Sequence, residues 1–411
     1  MAMFNCDAQN RIFKVTPLVL TTFSAVNSLG YGVEAVYAAL VARRSGLTPC
    51  TFEQVQLETY AGEVAGLDGL PVVTALAEFD CRNNRLAQAA LRQDGFEQRV
   101  AAARARYGAR RIAVIVGTST SGILETEHAY QRRDAASGRL PAGYHFATTH
   151  NLYASAEFTR RYLKLEGPAL MVSTACSSSA KVFACAWRLL SLDLCDAVVV
   201  GGVDSLCRNT LYGFSSLDLV GREPCRPCDA RRGGISIGEA AGYALLEWPQ
   251  RAADHSGVAL LGYGESSDAY HMSTPQPEGR GAALSMQRAL DCAGLEPVDI
   301  DYINMHGTAS LVNDSMEDKA ISTVFGTHTP SSSTKGWTGH ALGAAGITEA
   351  VISALCIQRG FMPGCLNART IDPAFTSEIL LNNRAATVQR VLSNSFGFGG
   401  SNCSLIFGAV A

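Results

Sequence analysis

The chain has 411 residues, 47% of them hydrophobic and 17% charged, which supplies one large two-lobed core or several smaller ones and excludes a disordered chain. A formal net charge of -3 gives no global electrostatic case for nucleic acid or an anionic membrane surface. The 13 cysteines lack framework spacing, no leader-like segment opens the sequence and no apolar run approaches a bilayer span, so the expectation is a soluble cytoplasmic protein with reduced thiols.

Short apolar runs alternate with helical periodicity almost end to end, the pattern of an α/β fold. In chain order the periodicity predicts a helix over 33–42, strands over 112–116 and 169–172, and a helix over 181–190. Strands follow over 197–200 and 243–246, then a helix over 281–293, a strand over 302–305, helices over 316–324 and 343–357, and a strand over 405–407. IAVIVGTSTSG from Ile112 and YINMHGTAS from Tyr302 echo each other as strands running into Gly-Thr, which suggests two similar halves joined near residues 250–280.

Five stretches could carry chemistry. In VSTACSSSAKVF, Cys176 stands among Ala175, Ser177, Ser178 and Ser179 just ahead of a helical stretch. A cysteine at a strand-to-helix turn faces unpaired backbone N–H groups and the positive helix end, which favour thiolate; the alternative is a buried structural cysteine. His306 closes an apolar run before Gly307 and Thr308, so its ring belongs where a strand leaves the sheet, the ligand end of open α/β sheets, unless it is an ordinary structural histidine.

SSSTKGWTGHALGAAG places Lys335 and His340 in a Gly-rich loop ahead of a helix, a poor setting for solvated charges. Glu349 shares an apolar stripe with Ala345, Ile352 and Cys356 and needs a partner, for which Lys335 is the candidate; the pair either serves catalysis or shapes the loop. In SNSFGFGGSN, Phe396 and Phe398 alternate with glycines, a turn whose N–H groups can approach a substrate with an aromatic ring as a movable wall.

Cys225 and Cys228 have half the spacing of a metal or redox site but no completing pair, and read as an incidental loop pair. No metal site is expected. Arg99, Arg104, Arg106, Arg110 and Arg111 form either a solvated helix face or a docking surface for an acidic partner.

Taken in order, Cys176, His306-Gly-Thr, Lys335 with Thr-Gly-His340 and the Phe-Gly-Phe-Gly-Gly turn resemble the β-ketoacyl-[acyl carrier protein] synthases of the KAS I/II type, from about Leu29 to the C-terminus. SDAYHMSTPQPEG and CDARRGGISIGEAAGYALLE, with Glu239, add to the resemblance. It implies a thiolase-like α/β fold of two similar halves, each with a mixed sheet, in layers αβαβα: residues 1–260 with the nucleophile and 261–411 with both catalytic histidines.

The resemblance further implies a decarboxylative Claisen condensation. Cys176 would carry the acyl chain, and His306 and His340 would assist decarboxylation of a malonyl thioester. Backbone N–H groups of Cys176 and Phe398 would form the oxyanion hole, Lys335 and Glu349 would order the histidines, and Phe398 with Phe396 would gate the site. Thr308 and Ser310 would line the pantetheine path. No cofactor is implied on the enzyme itself, since substrates ride on the phosphopantetheine of acyl carrier protein. The other partner implied is a second copy or a chain-length-factor-like homologue.

Departures from the family are an opening VTPLVLTTFSAVNSLG without the usual glycine pair, Ser310 for a commoner threonine, and Ser-Ser-Ser after Cys176, expected to alter the acyl pocket. With LETYAGEVAGLDGLP, these departures resemble condensing enzymes of bacterial aryl polyene clusters, against ordinary fatty-acid elongation or another polyketide pathway. The competing readings are a catalytically silent chain-length-factor-like subunit, which the retained Cys176 disfavours, and a coenzyme A-dependent thiolase, which would carry a second cysteine where Phe398 stands.

Overall fold

The computed structural model describes residues 15–410; the chain's opening residues, on which the reading of a leaderless start rests, lie outside this range. Among the described residues no helix is long and apolar enough to cross a membrane. Ten strands follow one continuous path. The first five are β1 (Leu18–Asn27), β2 (Ile112–Gly117), β3 (Ala169–Val172), β4 (Ala197–Asp204) and β5 (Ala240–Glu247), in the order β1-β5-β4-β2-β3. The second five are β6 (Val258–Ser267), β7 (Tyr302–Asn304), β8 (Ser331–Ser332), β9 (Arg390–Gly397) and β10 (Ser401–Ala409), in the order β6-β10-β9-β7-β8.

The two orders are the same, and so are the strand directions. In each set the first strand is antiparallel to the fifth, the fifth to the fourth, and the second is parallel to the third and fourth. The echo between Ile112 and Tyr302 falls on β2 and β7, the equivalent second strands. The sets meet in a short ladder, Leu18 opposite Leu260 and Val19 opposite Ala259. The join therefore lies at the WPQRAADHSG stretch ahead of β6, and the division between residues 260 and 261 falls within β6.

Among the described residues ten helices have nine residues or more: α1 (Val33–Val41), α2 (Arg82–Leu91), α3 (Phe96–Tyr107), α4 (Ile123–Gln131), α5 (Tyr153–Tyr162), α6 (Ser178–Ser191), α7 (Arg208–Ser216), α8 (Arg280–Ala293), α9 (Leu311–Phe325) and α10 (Ala345–Arg359); α4 and α7 pack on each other and the rest on the strands. Strand pleating sends alternate side chains to opposite faces, and the layers follow from it. Val198 and Val200 of β4 join a core with Phe183 of α6, Val351 and Leu355 of α10, and Leu405 and Phe407 of β10. Val199 and Val203 face the other way, toward Leu86, Phe96 and Phe158 of α2, α3 and α5.

On the far side, Ile303, Leu392 and Ile406 pack against Met286 of α8 and Ile321 of α9. The helices α6 and α10 thus lie between the two half-sheets, giving the five-layered αβαβα arrangement. Strands covered on both faces read as continuous apolar runs, which is why β4 and β5 are buried throughout. Gly202 within β4 is required by this sandwich: a Cβ there would lie 2.4 Å from Cβ of Ser179 on α6.

Candidate active site

Cys176 follows β3 by four residues and precedes α6, at the strand-to-helix turn expected of it. Ala175 ahead of it has φ 51°, a left-handed conformation that costs a non-glycine residue energy and here throws the thiol inward. Ser177, Ser178 and Ser179 do not line the pocket, contrary to expectation. All three are fully buried, because each hydroxyl serves the backbone. Ser177 donates to the Thr174 carbonyl at 2.9 Å, Ser178 accepts from the Thr174 N–H at 2.9 Å, and Ser179 accepts from the Ile347 N–H at 2.9 Å. The last bond ties the first turn of α6 to that of α10.

The second half delivers the other groups. His306 lies two residues beyond β7, His340 lies in the loop ahead of α10, and Glu349 sits on the second turn of α10. Nε2 of His340 is 3.1 Å from Sγ of Cys176, and the two imidazole rings meet edge to face at 5.3 Å. The sulfur and one ring nitrogen from each histidine lie within 4.8 Å of one another. Nζ of Lys335 is 3.3 Å from Nδ1 of His306, donates to its carbonyl oxygen, and pairs with the Glu349 carboxylate. Ser395 donates to the other Glu349 oxygen at 3.4 Å. Because Lys335 donates to Nδ1, the proton of neutral His306 sits on Nε2, the nitrogen turned away from the lysine.

Burial governs the electrostatics. Cys176, His306, Lys335, His340 and Glu349 are each at most 5% exposed. Both histidines are held well below the ordinary imidazole range by burial first and by the Lys335 ammonium second. Burial pushes the Glu349 carboxyl up to about 7 against the pull of Lys335. The expectation of a thiolate at rest is corrected: burial pushes the Cys176 thiol up to about 12, outweighing Lys335 and the Phe398 N–H that draw it down. The resting pair is a neutral thiol beside neutral imidazoles.

Cys176, His306 and His340 close the inner end of a cavity of about 110 Å³ whose walls include Thr308, Ser310, Phe396, Phe398 and Phe214. The Phe396 ring lies 5.8 Å from His306. Phe398 stacks on Phe214 at 5.5 Å while its backbone N–H points at the Cys176 sulfur. Thr308 donates to the Ser310 hydroxyl at 3.1 Å, and Ser310 caps α9. The Gly397–Gly400 turn is pinned to the loop after β6: Gly399 donates to the Met272 carbonyl and Asp268 to that of Gly400.

Three carboxylates escaped the sequence reading. Glu317 accepts from the N–H groups of His306 and Gly307 at 2.8 and 2.7 Å and fixes the turn that aims the imidazole. Asp314 accepts from Thr308, and its other oxygen accepts from Cys228. Asp204, at the end of β4, holds Thr118, Ser119 and Thr120 together with the Gly343 N–H. A buried carboxylate one turn into a helix, spaced three from another, was the only signal, and it looks the same as a solvated helix start.

Cys225 and Cys228 are buried and serve different partners, the Lys335 carbonyl and Met305. The arginine cluster stands at the wrong end of the sheet for docking at the site. Arg111 immediately precedes β2, whereas Cys176 lies beyond the far end of the parallel strand β3, about 20 Å away at ~3.3 Å per residue. Its members are also engaged: Arg99 with Asp254, Arg106 with Glu247, Arg110 with Glu166, Arg111 with Asp193 and Asp196, and Arg104 with the Leu163 carbonyl.

Comparison with known proteins bears directly on this arrangement. The chain matches the beta-ketoacyl synthase N-terminal domain over residues 16–252 and the beta-ketoacyl synthase C-terminal domain over residues 258–369. A mitochondrial 3-oxoacyl-[acyl-carrier-protein] synthase of Arabidopsis thaliana is 38% identical over 275 residues, 62% of this chain and 59% of the relative. The 3-oxoacyl-[acyl-carrier-protein] synthase 2 of Coxiella burnetii is 31% identical over 417 residues, 96% of this chain and 98% of the relative. A ketosynthase from Xenorhabdus doucetiae, solved in complex with its chain length factor, superposes with a TM-score of 0.86 at 39% identity, covering 96% of this chain and 98% of that one. With a nucleophile-bearing turn in one half, two buried histidines in the other, and both halves matched, the chain belongs to the beta-ketoacyl synthase family and has its thiolase-like fold.

Proposed function

We propose that this chain is a β-ketoacyl-[acyl carrier protein] synthase that joins an acyl group on Cys176 to malonyl-carrier by decarboxylative Claisen condensation. The observation that carries the reading is the unbroken contact chain Cys176–His340–His306–Lys335–Glu349, whose first three members line one cavity and whose last two stand behind them. In the first half-reaction the Cys176 sulfur attacks the carrier thioester. The carrier C–S bond breaks, and the thiol proton ends on the departing pantetheine sulfur.

In the second half-reaction the bond to the malonyl carboxylate breaks and CO₂ leaves. The electron pair passes to an enolate, whose oxygen receives hydrogen bonds from the two neutral imidazoles. Lys335 makes His306 a donor toward the site by occupying Nδ1, and burial keeps both rings neutral at the working pH. The enolate carbon then attacks the Cys176 acyl carbonyl. The tetrahedral oxyanion is met by the N–H groups of Cys176 and Phe398, a contribution of roughly 3 kcal/mol per donor. Collapse releases the β-ketoacyl-carrier, and one solvent proton restores the thiol.

Thr308 and Ser310 border the route of the pantetheine arm, and Phe398, stacked on Phe214, is the gate. The acyl chain is of the aryl polyene type, supported by the departures named above together with the segment from Leu57, and by 39% identity to a ketosynthase solved in complex with its chain length factor. By the same likeness the partner is a chain-length-factor-like homologue. The outer edge of β3, where Leu170 is 42% exposed and the strand path ends, is the surface for it.

The test is intact-protein mass after exposure to acyl-carrier thioesters. Cys176→Ser should gain no acyl mass, whereas His306→Ala should gain it and fail to condense. A His306→Ala protein that condenses at the normal rate would remove the decarboxylation role.

A further inference from the structure

The cavity opens between the end of α7, the loop after β6 and the start of α9, and its rim is unusually apolar for a surface. Leu217, Met272, Leu311 and Val312 are each at least 50% exposed, and Val312 also lines the cavity wall. Exposed apolar residues gathered on one rim mark a contact surface rather than ordinary scatter. Beside them runs a shallow groove formed by residues 220–226 and 233–234. Its ends continue into Leu219 and Ile235 of the cavity wall, and the Gly234 N–H bonds the Ala309 carbonyl between Thr308 and Ser310.

Two guanidinium groups, that of Arg222 on this groove and that of Arg231 two residues before Gly233 of its wall, belong to exposed residues and, among the described residues, have no side-chain ion-pair or hydrogen-bond partner. A third, Arg369, is brought beside Arg231 because one carboxylate, that of Asp229, accepts both their backbone N–H groups, at 2.8 and 2.7 Å. The neighbouring acids are otherwise engaged: Glu223 pairs with Arg226, and Asp372 pairs with buried Arg232. Arg232 also donates to the Leu311 carbonyl, which joins the basic groove to the apolar rim. Among the acids beside the groove, Asp218, on the α7 side, is exposed and has no side-chain partner among the described residues.

We propose that this rim and groove are the docking face for the acyl carrier protein, with Arg222, Arg231 and Arg369 receiving acidic side chains or the phosphodiester of the pantetheine arm and the apolar rim receiving the helix that bears it. The inference rests on the condensing-enzyme reading and adds the surface. Guanidinium groups free of intramolecular partners are the ones available to a phosphate or carboxylate, and a pairing at the mouth aims the arm down the Thr308–Ser310 wall to Cys176.

The test compares two donors, malonyl-carrier with acyl-carrier against the same acyl groups on free pantetheine. Arg222→Glu with Arg231→Glu should raise KM for the carrier-bound substrates at least tenfold at low salt, leave KM for the pantetheine thioesters within twofold, and flatten the salt dependence seen with the wild type. Leu311→Asp should act in the same direction. Arg104→Glu with Arg106→Glu, at the opposite end of the sheet, should change neither KM when assayed below its own unfolding temperature, which falls because Arg106 faces buried Glu247; the Arg222/Arg231 reversal breaks no side-chain pair and should melt with the wild type. The proposal is overturned if the Arg222/Arg231 variant keeps its carrier KM within twofold, if both donors weaken equally, or if the Arg104/Arg106 variant is the one impaired. If the wild-type chain takes an acyl group from neither donor, the reading of Cys176 falls, and the docking face with it.

Discussion

Gly346→Ala tests whether packing between the two central helices sets the catalytic geometry. A Cβ on Gly346, the second residue of α10, would lie 2.5 Å from the Ala180 nitrogen, 2.8 Å from its Cβ and 2.9 Å from its Cα on α6. Ordinary contacts between such atoms are about 3.5–4.0 Å, so the first turns of the two helices must part by about 1 Å. Overpacking of this kind costs ~1–3 kcal/mol, and removing a helical glycine returns up to ~1 kcal/mol. The expected net loss is about 1–2 kcal/mol in urea unfolding. Cys176 lies four residues before Ala180 and His340 six before Gly346, so the 3.1 Å contact between them opens toward 4 Å, and a misplacement of this size can cost ~100-fold in rate. The assay is condensation turnover alongside unfolding. The control is Gly213→Ala in α7, where a Cβ meets nothing within 4 Å: it should keep full turnover and lose no stability. A folded Gly346→Ala protein that turns over at the wild-type rate would refute the packing argument.

Lys335→Ala should cost about 3 kcal/mol by stripping a buried pair, less where Glu349 takes up a proton, and Lys335→Ala with Glu349→Gln should be less destabilised than Lys335→Ala alone; urea unfolding of the wild type and the two variants checks both. Loss of the Lys335 charge should also let the His306 pKa rise, so the acidic limb of the condensation rate against pH should move to higher pH. Glu317→Ala leaves the His306 and Gly307 N–H groups buried and unpaired, at about 1–3 kcal/mol each, and should lower condensation more than acyl loading. Glu317 also predicts a pH effect with a definite sign. Its folded pKa, pushed up to about 7 by burial, exceeds the ordinary 4.5, so the folded state binds the extra proton and stability falls as pH rises from about 4.5 to 7. Glu317→Gln should flatten that slope by close to one proton, measured by unfolding at several pH values.

The strands buried on both faces, β2 and β4, were legible because nothing polar interrupts them, and the partly exposed edge strand β3 was legible for the same apolar run. β1 was not, because Thr22, Ser24 and Asn27 are buried in LVLTTFSAVN and break the apolar pattern. α2 was lost for a related reason. Its sequence, RNNRLAQAAL, buries Arg82 against Glu239 and Asn83 against Ser155 and the Ser205 N–H, so its first turn is polar in the core and the apolar face that remains, Leu86, Ala87, Ala90 and Leu91, is too short to be read. The reacting residues were legible because each sits in a short glycine- or hydroxyl-rich stretch that no structural demand explains. Their supports were not, because Glu317, Asp314 and Asp204 act on backbone N–H groups, and a sequence does not announce which amides a carboxylate will meet. The same blindness misassigned Ser177–Ser179, whose hydroxyls point back into their own turn.

The repeated strand order explains why the site lies where it does. In each half the third strand leads through a turn to a central helix, β3 to α6 and β8 to α10, and the two helix starts meet at the contact of Ala180 with Gly346 and of Ser179 with Ile347. Cys176 hangs from one start and His340 from the other. Two helix N-termini therefore converge on one buried point, and each adds partial positive charge there. Lys335 adds a full charge nearby, matched by Glu349 on its far side. That field opposes protonation of both imidazoles, which keeps them neutral. It also favours every anion that the proposed reaction creates, from the enolate to the tetrahedral oxyanion. The burial that holds Cys176 as a thiol at rest is thus consistent with catalysis, because the field is aimed at charge that develops on the substrate rather than at charge stored on the sulfur.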